Sequence, residues 1–385
     1  LYKYAINLGN HDYEILYKIV SILIVTGKNS LFIKLYSDER LRNMMLSKYP
    51  GMITFFLSRS NQHTLITSEN YKKQLLEMIG ESNNCEKLRF HLSQVLSLIS
   101  LSKYNDKSEL WKEIYDQKEL YSNCFDWGYI LRISEEIFDN FSSMEYIRKS
   151  ILFFKERNQL IEMLRSKITL SAMKILTMKN HADILELKET LQSLEKEFRE
   201  IQTSDKGLHT NLALIMIFEN ISVEANEKPN SRAMIEKHLY SALSLSFNDL
   251  SYLLAFNNIF AYKILTNSKD SGFNLEELIH LSEISNYGSA RITSFYNLAK
   301  YYQEKGQQQQ YNRYLERIWN ELKYIDDYRK NYWLHKLKDC SEDCGYCKFE
   351  KGIVNPKELS YVGLLISELH FSPFSVWDFS PKLLD

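Results

Sequence analysis

Apolar positions recur at helical spacing along most of the chain. The segment YEILYKIVSILIV, Tyr13 to Val25, is apolar on most faces, as a buried helix is. In KLRFHLSQVLSLISL, Leu88, Leu92, Val95 and Ile99 fall on one stripe, each three or four residues from the last. WGYILRISEEIF, MEYIRKSILFF and NQLIEMLRSKITLSAMKIL continue the pattern. Short polar breaks such as SKYPG, SRSNQ, ESNNC and KYNDKS separate these runs. Their lengths suit turns between antiparallel helices. No alternating run with hairpin-turn chemistry precedes residue 340. The pattern predicts an all-α chain.

One segment is patterned differently. In ILELKETLQSLEKEFREI, Ile184, Leu187, Leu191, Leu194, Phe198 and Ile201 form a narrow seam at heptad spacing, with Glu and Lys filling much of the rest. Such a seam either receives a partner helix, giving oligomerisation through residues 184–201, or packs once against a neighbour in the same chain. Sustained coiled coils need three to four heptads, and the shorter run here favours intrachain packing.

Beyond Gly207 the helices fall into pairs. Asn211-Leu212-Ala213, Asn258-Ile259-Phe260 and Asn297-Leu298-Ala299 each lie in a helical stretch. Each is followed by a polar break and a second helix: SRAMIEKHLYSALSL, NLEELIHLSEI and QQQYNRYLERIWNEL. Helix pairs recurring roughly every forty residues mark an α-solenoid. The last unit, SFYNLAKYYQEKGQQQQYNRYLERI, resembles a tetratricopeptide repeat. Phe295 stands at that family's first-helix aromatic, Leu298 and Ala299 at its Leu-small pair, Tyr302 at its Tyr, Gly306 at its turn glycine and Leu315 at a second-helix packing position. Gln308, Tyr311 and Ile318 depart from its aromatic or small residues. The resemblance implies stacked helix hairpins whose concave face binds a polypeptide, and it implies no catalysis. Irregular helices followed by such units also resemble, in organisation, the helical sensor tail of STAND-type signalling NTPases.

Composition agrees with long helices. Only 12 Gly and 5 Pro interrupt 385 residues, while 26 Tyr and 20 Phe supply large rings for helix contacts. With 48 basic and 49 acidic residues, net charge is -1. Electrostatic capture of nucleic acid, which needs a basic stripe, is not indicated. The apolar run Ile19 to Val25 is too short to span a bilayer. Five cysteines, an odd number, do not read as a disulfide framework. These features predict a reduced, cytoplasmic chain without a membrane partner. Leu1 in place of Met suggests a processed product or a piece of a larger protein.

Candidate chemistry is sparse. Glu135-Glu136 and Glu276-Glu277 read as solvated helix faces, and His91, His238 and His280, lying singly in helical segments, read as structural. Cys85 and Cys124 read as separate, unpaired thiols. No complete catalytic motif is present; VTGKNS (Val25 to Ser30) lacks the first glycine of a P-loop. The exception is CSEDCGYC. Cys340, Cys344 and Cys347, with Tyr346 before the last, resemble the cysteine pattern of radical-SAM enzymes. Only Lys348 to Asp385 follow, too little for that family's α/β barrel. Two readings stay open. Either the three thiolates hold a structural zinc, with His335 or His370 as fourth ligand, or they are reduced thiols in a polar turn.

The tail LHFSPFSVWDFSPKLLD reads as a cap over the end of the stack or as a docking segment. We therefore expect an irregular helical region over 1–204, tetratricopeptide-like repeats over 205–335 and a Cys-containing cap over 336–385. The expected function is that of a non-enzymatic scaffold or sensor for a polypeptide, within a larger signalling or defence-type NTPase. The alternative is a domain dependent on zinc or an iron–sulfur cluster, its three-Cys loop carrying redox or catalytic function.

Overall fold

The computed structural model of the chain describes residues 2–323 except 10, 26–27, 61, 81–82, 101–103, 137–139, 176–177, 179–180, 223–229, 247–248, 267–272 and 286–287, together with Trp333, Leu334 and Leu337. Every regular element among the described residues is helical, so the described part of the chain is all-α. No described helix is long and apolar enough to cross a membrane. The chain divides into two compact units at Leu131 and Arg132.

The first unit begins with α1 (Tyr2–Ala5), α2 (Tyr13–Val25), α3 (Asn29–Ser37), α4 (Glu39–Lys48) and α5 (Pro50–Arg59). It continues with α6 (His63–Ile66), α7 (Glu69–Ile79), α8 (Asn84–Ser100), α9 (Tyr104–Asp116), α10 (Lys118–Tyr121) and α11 (Trp127–Arg132). Helix α8 is the hub, packing against α5, α6, α7, α9 and α10. Its expected stripe of Leu88, Leu92, Val95 and Ile99 is buried. Its other face is buried too, because Ser93 and Ser97 are small and return their hydroxyls to the carbonyls of Phe90 and Ser93.

The first turn of α8 also completes α5. Helix α5 starts at Pro50 with no side-chain cap of its own. The buried Glu86 carboxylate instead accepts from the backbone N–H groups of Gly51 (2.7 Å) and Met52 (3.1 Å). A carboxylate there satisfies orphan donors and the positive end of the helix dipole. Gly51 is required by this approach: a Cβ would lie 2.1 Å from the Glu86 carbonyl oxygen. The other Glu86 oxygen accepts from Arg89 (2.6 Å), whose Nε donates to Asp126 (2.7 Å) in the loop before α11.

Beside this chain of ion pairs, Cys85 and Cys124 form a disulfide. The reading of these two as separate thiols, and with it that of a wholly reduced chain, is corrected here. Thirty-nine residues separate them, so no short spacing motif marks the pair; the packing of α8 against α10 brings them together.

The second unit opens with a 3₁₀ turn (Ile133–Glu136), then α12 (Asn140–Glu156), α13 (Leu160–Ile175), α14 (His181–Glu200) and α15 (Lys206–Ser222). It ends with α16 (Arg232–Ser244), α17 (Asp249–Leu265), α18 (Leu275–Ile284), α19 (Gly288–Glu304) and α20 (Gln308–Glu321). Each of these helices packs on the next in sequence, and α13 also meets α15, as α17 meets α19. One core runs from Met144 to Tyr262 and an adjoining one from Leu253 to Trp333. The first is continuous across residues 204 and 205, where the sequence changes character.

Three of the hairpin turns share one device. Asn158, Gln202 and Gly306 have positive φ (54°, 55° and 69°) just past α12, α14 and α19. At each, that residue's N–H bonds three residues back, and the next N–H bonds five back. This double closure satisfies the last carbonyls of the helix and reverses the chain.

The heptad seam of α14 is buried: Ile184, Leu187, Leu191, Leu194 and Phe198 all lie in the core with residues of α13 and α15. This is the intrachain packing that the short run favours: the chain's own neighbours occupy the face through which residues 184–201 could otherwise receive a partner helix. In the last hairpin, Phe295, Leu298 and Ala299 are buried, and Tyr302 stacks on Tyr314 with ring centres 5.6 Å apart. Asn211, Asn258 and Asn297 are buried within α15, α17 and α19.

Candidate functional site

His335, Cys340, Cys344 and Cys347 lie outside the described residues, as do His370 and the segment 338–385. Two polar constellations stand out within the second unit, and neither is marked by a spacing motif.

The first joins α14, α15 and α16. Helix α14 buries Leu194 in its seam, so the adjacent Glu195 falls at the seam's edge, its side chain 19% exposed. The turn after α14 delivers Ser204 and Asp205. Asp205 accepts from the Gly207 N–H (2.8 Å) at the start of α15, a first-turn contact that helps begin that helix. This sets His209 in the first turn of α15, facing α16. Ser231 caps α16 by accepting from the Met234 N–H, and His238 follows on its buried face.

The two imidazoles meet across the α15–α16 hairpin. Their Nδ1 atoms are 3.0 Å apart and the rings are tilted by 34°. The Nε2 of His209 lies 2.8 Å from the Ser204 hydroxyl. Burial lowers the pKa of His209 below its ordinary value and pushes that of His238 down to about 4. Both rings are therefore neutral near pH 7, and the short contact has one Nδ1–H donating to the other ring's lone pair. One carboxylate oxygen of Glu195 and one ring nitrogen of each histidine lie mutually within 4.8 Å. This is a donor set of two imidazoles and a carboxylate, the chemistry that first-row divalent metals select.

The second constellation is a cleft of about 410 Å³ beside α19, lined by Glu283, Arg291, Phe295, Arg317, Asn320 and Glu321. Arg291 pairs with Glu321 and Arg317 with Glu283, each at 2.6 Å. Both guanidiniums lie near the Phe295 ring, 5.9 and 5.5 Å from its centre. The Nε of Arg291 is buried and has no hydrogen-bond partner. A guanidinium carries five N–H donors and a carboxylate about four acceptor sites. One contact per pair leaves the cleft with both donors and acceptors to offer.

Phe295 is buried, as its place in the repeat-like unit predicts; the two guanidiniums over its ring carry no signal in the sequence. His238 reads as structural from sequence because no ligand sits at a helical interval from it. The pairing comes from the α15–α16 hairpin, and the only available signal was that both segments are helical with a turn between. No protein family, curated protein or solved structure matches the chain.

Proposed function

We propose that the chain is a non-enzymatic recognition scaffold, its second unit a tetratricopeptide-like stack of helix hairpins that binds a polypeptide. The cleft at Arg291, Phe295 and Arg317 carries this reading. It offers spare donors and acceptors side by side, on guanidiniums that lie near the buried Phe295 ring, between packed helices. A simple anion would use only the donors. A peptide backbone presents N–H and C=O groups alternately and uses both. The consecutive packing of α12 to α20 supports the stacked architecture. The burial of Phe295, Leu298 and Ala299, together with the left-handed Gly306, supports the likeness to that repeat family. In this reading the scaffold serves as the sensor part of a larger signalling NTPase.

Panning a displayed library of random dodecapeptides against the full chain tests the binding role. A shared motif should enrich on the wild type. Enrichment should disappear when Arg291→Gln and Arg317→Gln are combined, provided the melting temperature is kept. Failure of any motif to enrich, or a motif that binds the double variant equally well, would refute the cleft as a peptide site.

A further inference from the structure

We propose that Glu195, His209 and His238 form a binding site for a divalent ion of the zinc class. The site is independent of the cysteine-rich segment and of the peptide-binding reading.

The geometry points there from several sides. Two zinc-bound imidazole nitrogens in a tetrahedral site stand about 3.3 Å apart, given bonds of about 2.0–2.1 Å. The Nδ1 atoms of His209 and His238 are 3.0 Å apart, so a few tenths of an ångström of opening admits the ion between them. The Glu195 carboxylate needs to close in from within 4.8 Å. Its present partner is Arg199, one helical turn on, at 2.8 Å. That arginine's side chain is 66% exposed, and a pair one helical turn apart with so exposed a partner holds the carboxylate weakly. The Glu195 side chain is 19% exposed, more than either of the two buried histidines.

Protonation suits the ligand role as well. Imidazole binds metal in its neutral form, and burial keeps both rings neutral. Without an ion, one of the two Nδ1 atoms must carry a proton to make the 3.0 Å contact. On binding, that proton moves to the Nε2 of the same ring, so no net proton is released. The Ser204 hydroxyl is placed to accept from the Nε2–H of His209, which fixes the tautomer that leaves Nδ1 free for metal. The surrounding charges are balanced. Glu195 and Asp205 favour a cation here, while Arg199 and Lys237 oppose it. Two nitrogens and one oxygen favour zinc, copper(II), nickel or cobalt over magnesium or calcium, which prefer all-oxygen sites. Three protein ligands leave a fourth position for water.

The test is zinc binding to the full chain carrying Cys340→Ser, Cys344→Ser and Cys347→Ser, measured by competition with a chromophoric chelator. One zinc per chain is expected. His238→Ala in that background should weaken binding at least about a hundredfold, and Ser204→Ala by about tenfold, as loss of an orienting partner does. Cobalt(II) should give nitrogen–oxygen-type visible bands without thiolate charge transfer. Because His238→Ala removes a buried ring, Glu195→Gln provides a second variant at the more exposed ligand, expected to weaken zinc at least tenfold. Absence of bound zinc in the chain lacking Cys340, Cys344 and Cys347, or unchanged affinity in both His238→Ala and Glu195→Gln, would overturn the proposal.

Discussion

Single residues here are held in place by what the backbone demands of them, and two positions let that demand be measured. Gly306 and Gln202 occupy the same place in equivalent turns, both with positive φ. Glycine pays no steric cost there, whereas a residue with a Cβ is strained by roughly 1–2 kcal/mol. A Cβ on Gly306 would meet nothing within 4 Å, so only backbone strain opposes a substitution. Gly306→Ala should therefore lower stability by roughly 1 kcal/mol. Gln202 is exposed and gives up no core contact, so Gln202→Gly should raise stability by about 0.5–1 kcal/mol. Urea midpoints of the two variants decide the matter, and shifts of the same sign in both would show that the turn is not what sets them. Gly306 was legible in the sequence because glycine announces a left-handed turn. Gln202 was not, since glutamine carries no such signal and only the double carbonyl closure after α14 puts it there.

At the scale of elements, helices were legible wherever one face is apolar, as in the α14 seam from Ile184 to Phe198. What each face meets was not. That seam fits a foreign helix as well as it fits α13 and α15, because heptad spacing encodes a surface and not its partner. The clasp between α5, α8 and the loop before α11 was illegible for another reason. Gly51, Glu86, Arg89 and Asp126 are ordinary surface residue types, and only the buried approach of one helix end to another turns them into a network. The Cys85–Cys124 bond fastens the same junction. Its loop of 39 residues implies about 4 kcal/mol of stabilisation on the chain-entropy account. Reduction, or Cys85→Ser with Cys124→Ser, should lower the melting temperature of the first unit while that of the second is unchanged. Hydrogen exchange resolved along the chain reads the two separately. If dithiothreitol left protection in α8 and α10 untouched, the clasp of ion pairs would be sufficient alone. In a reducing compartment that clasp is what remains.

For the molecule as a whole, the all-α class of the described residues was legible, because helical periodicity recurs along most of their sequence. The division at Leu131 and Arg132 was not, because no run of Pro, Gly or Ser marks it: α11 reaches Arg132 and a 3₁₀ turn follows at once. Both units nevertheless share one physical vulnerability. Burial pushes His63 and His91 in the first unit and His238 in the second down to about 4, from an ordinary value near 6.5. The Nδ1 of His91 is buried without a hydrogen-bond partner, and His238 faces a second imidazole, so neither site welcomes a charge. Below pH 6.5 the unfolded chain takes up protons at these positions that the folded chain does not. Stability is thus fully present above pH 6.5 and falls as pH drops towards 4. The loss is on the order of 3 kcal/mol per histidine at the acid end, as an upper figure. Between pH 7 and 5 the urea midpoints of both units should fall. His91→Gln should flatten that slope in the first unit and His238→Gln in the second, each without altering the other. Zinc bound at Glu195, His209 and His238 would oppose protonation of the second unit alone. Added zinc should therefore hold its midpoint at pH 6 nearer to the value at pH 7, while the first unit keeps its full acid dependence. A pH profile that zinc leaves unchanged in both units would separate the acid response from metal binding.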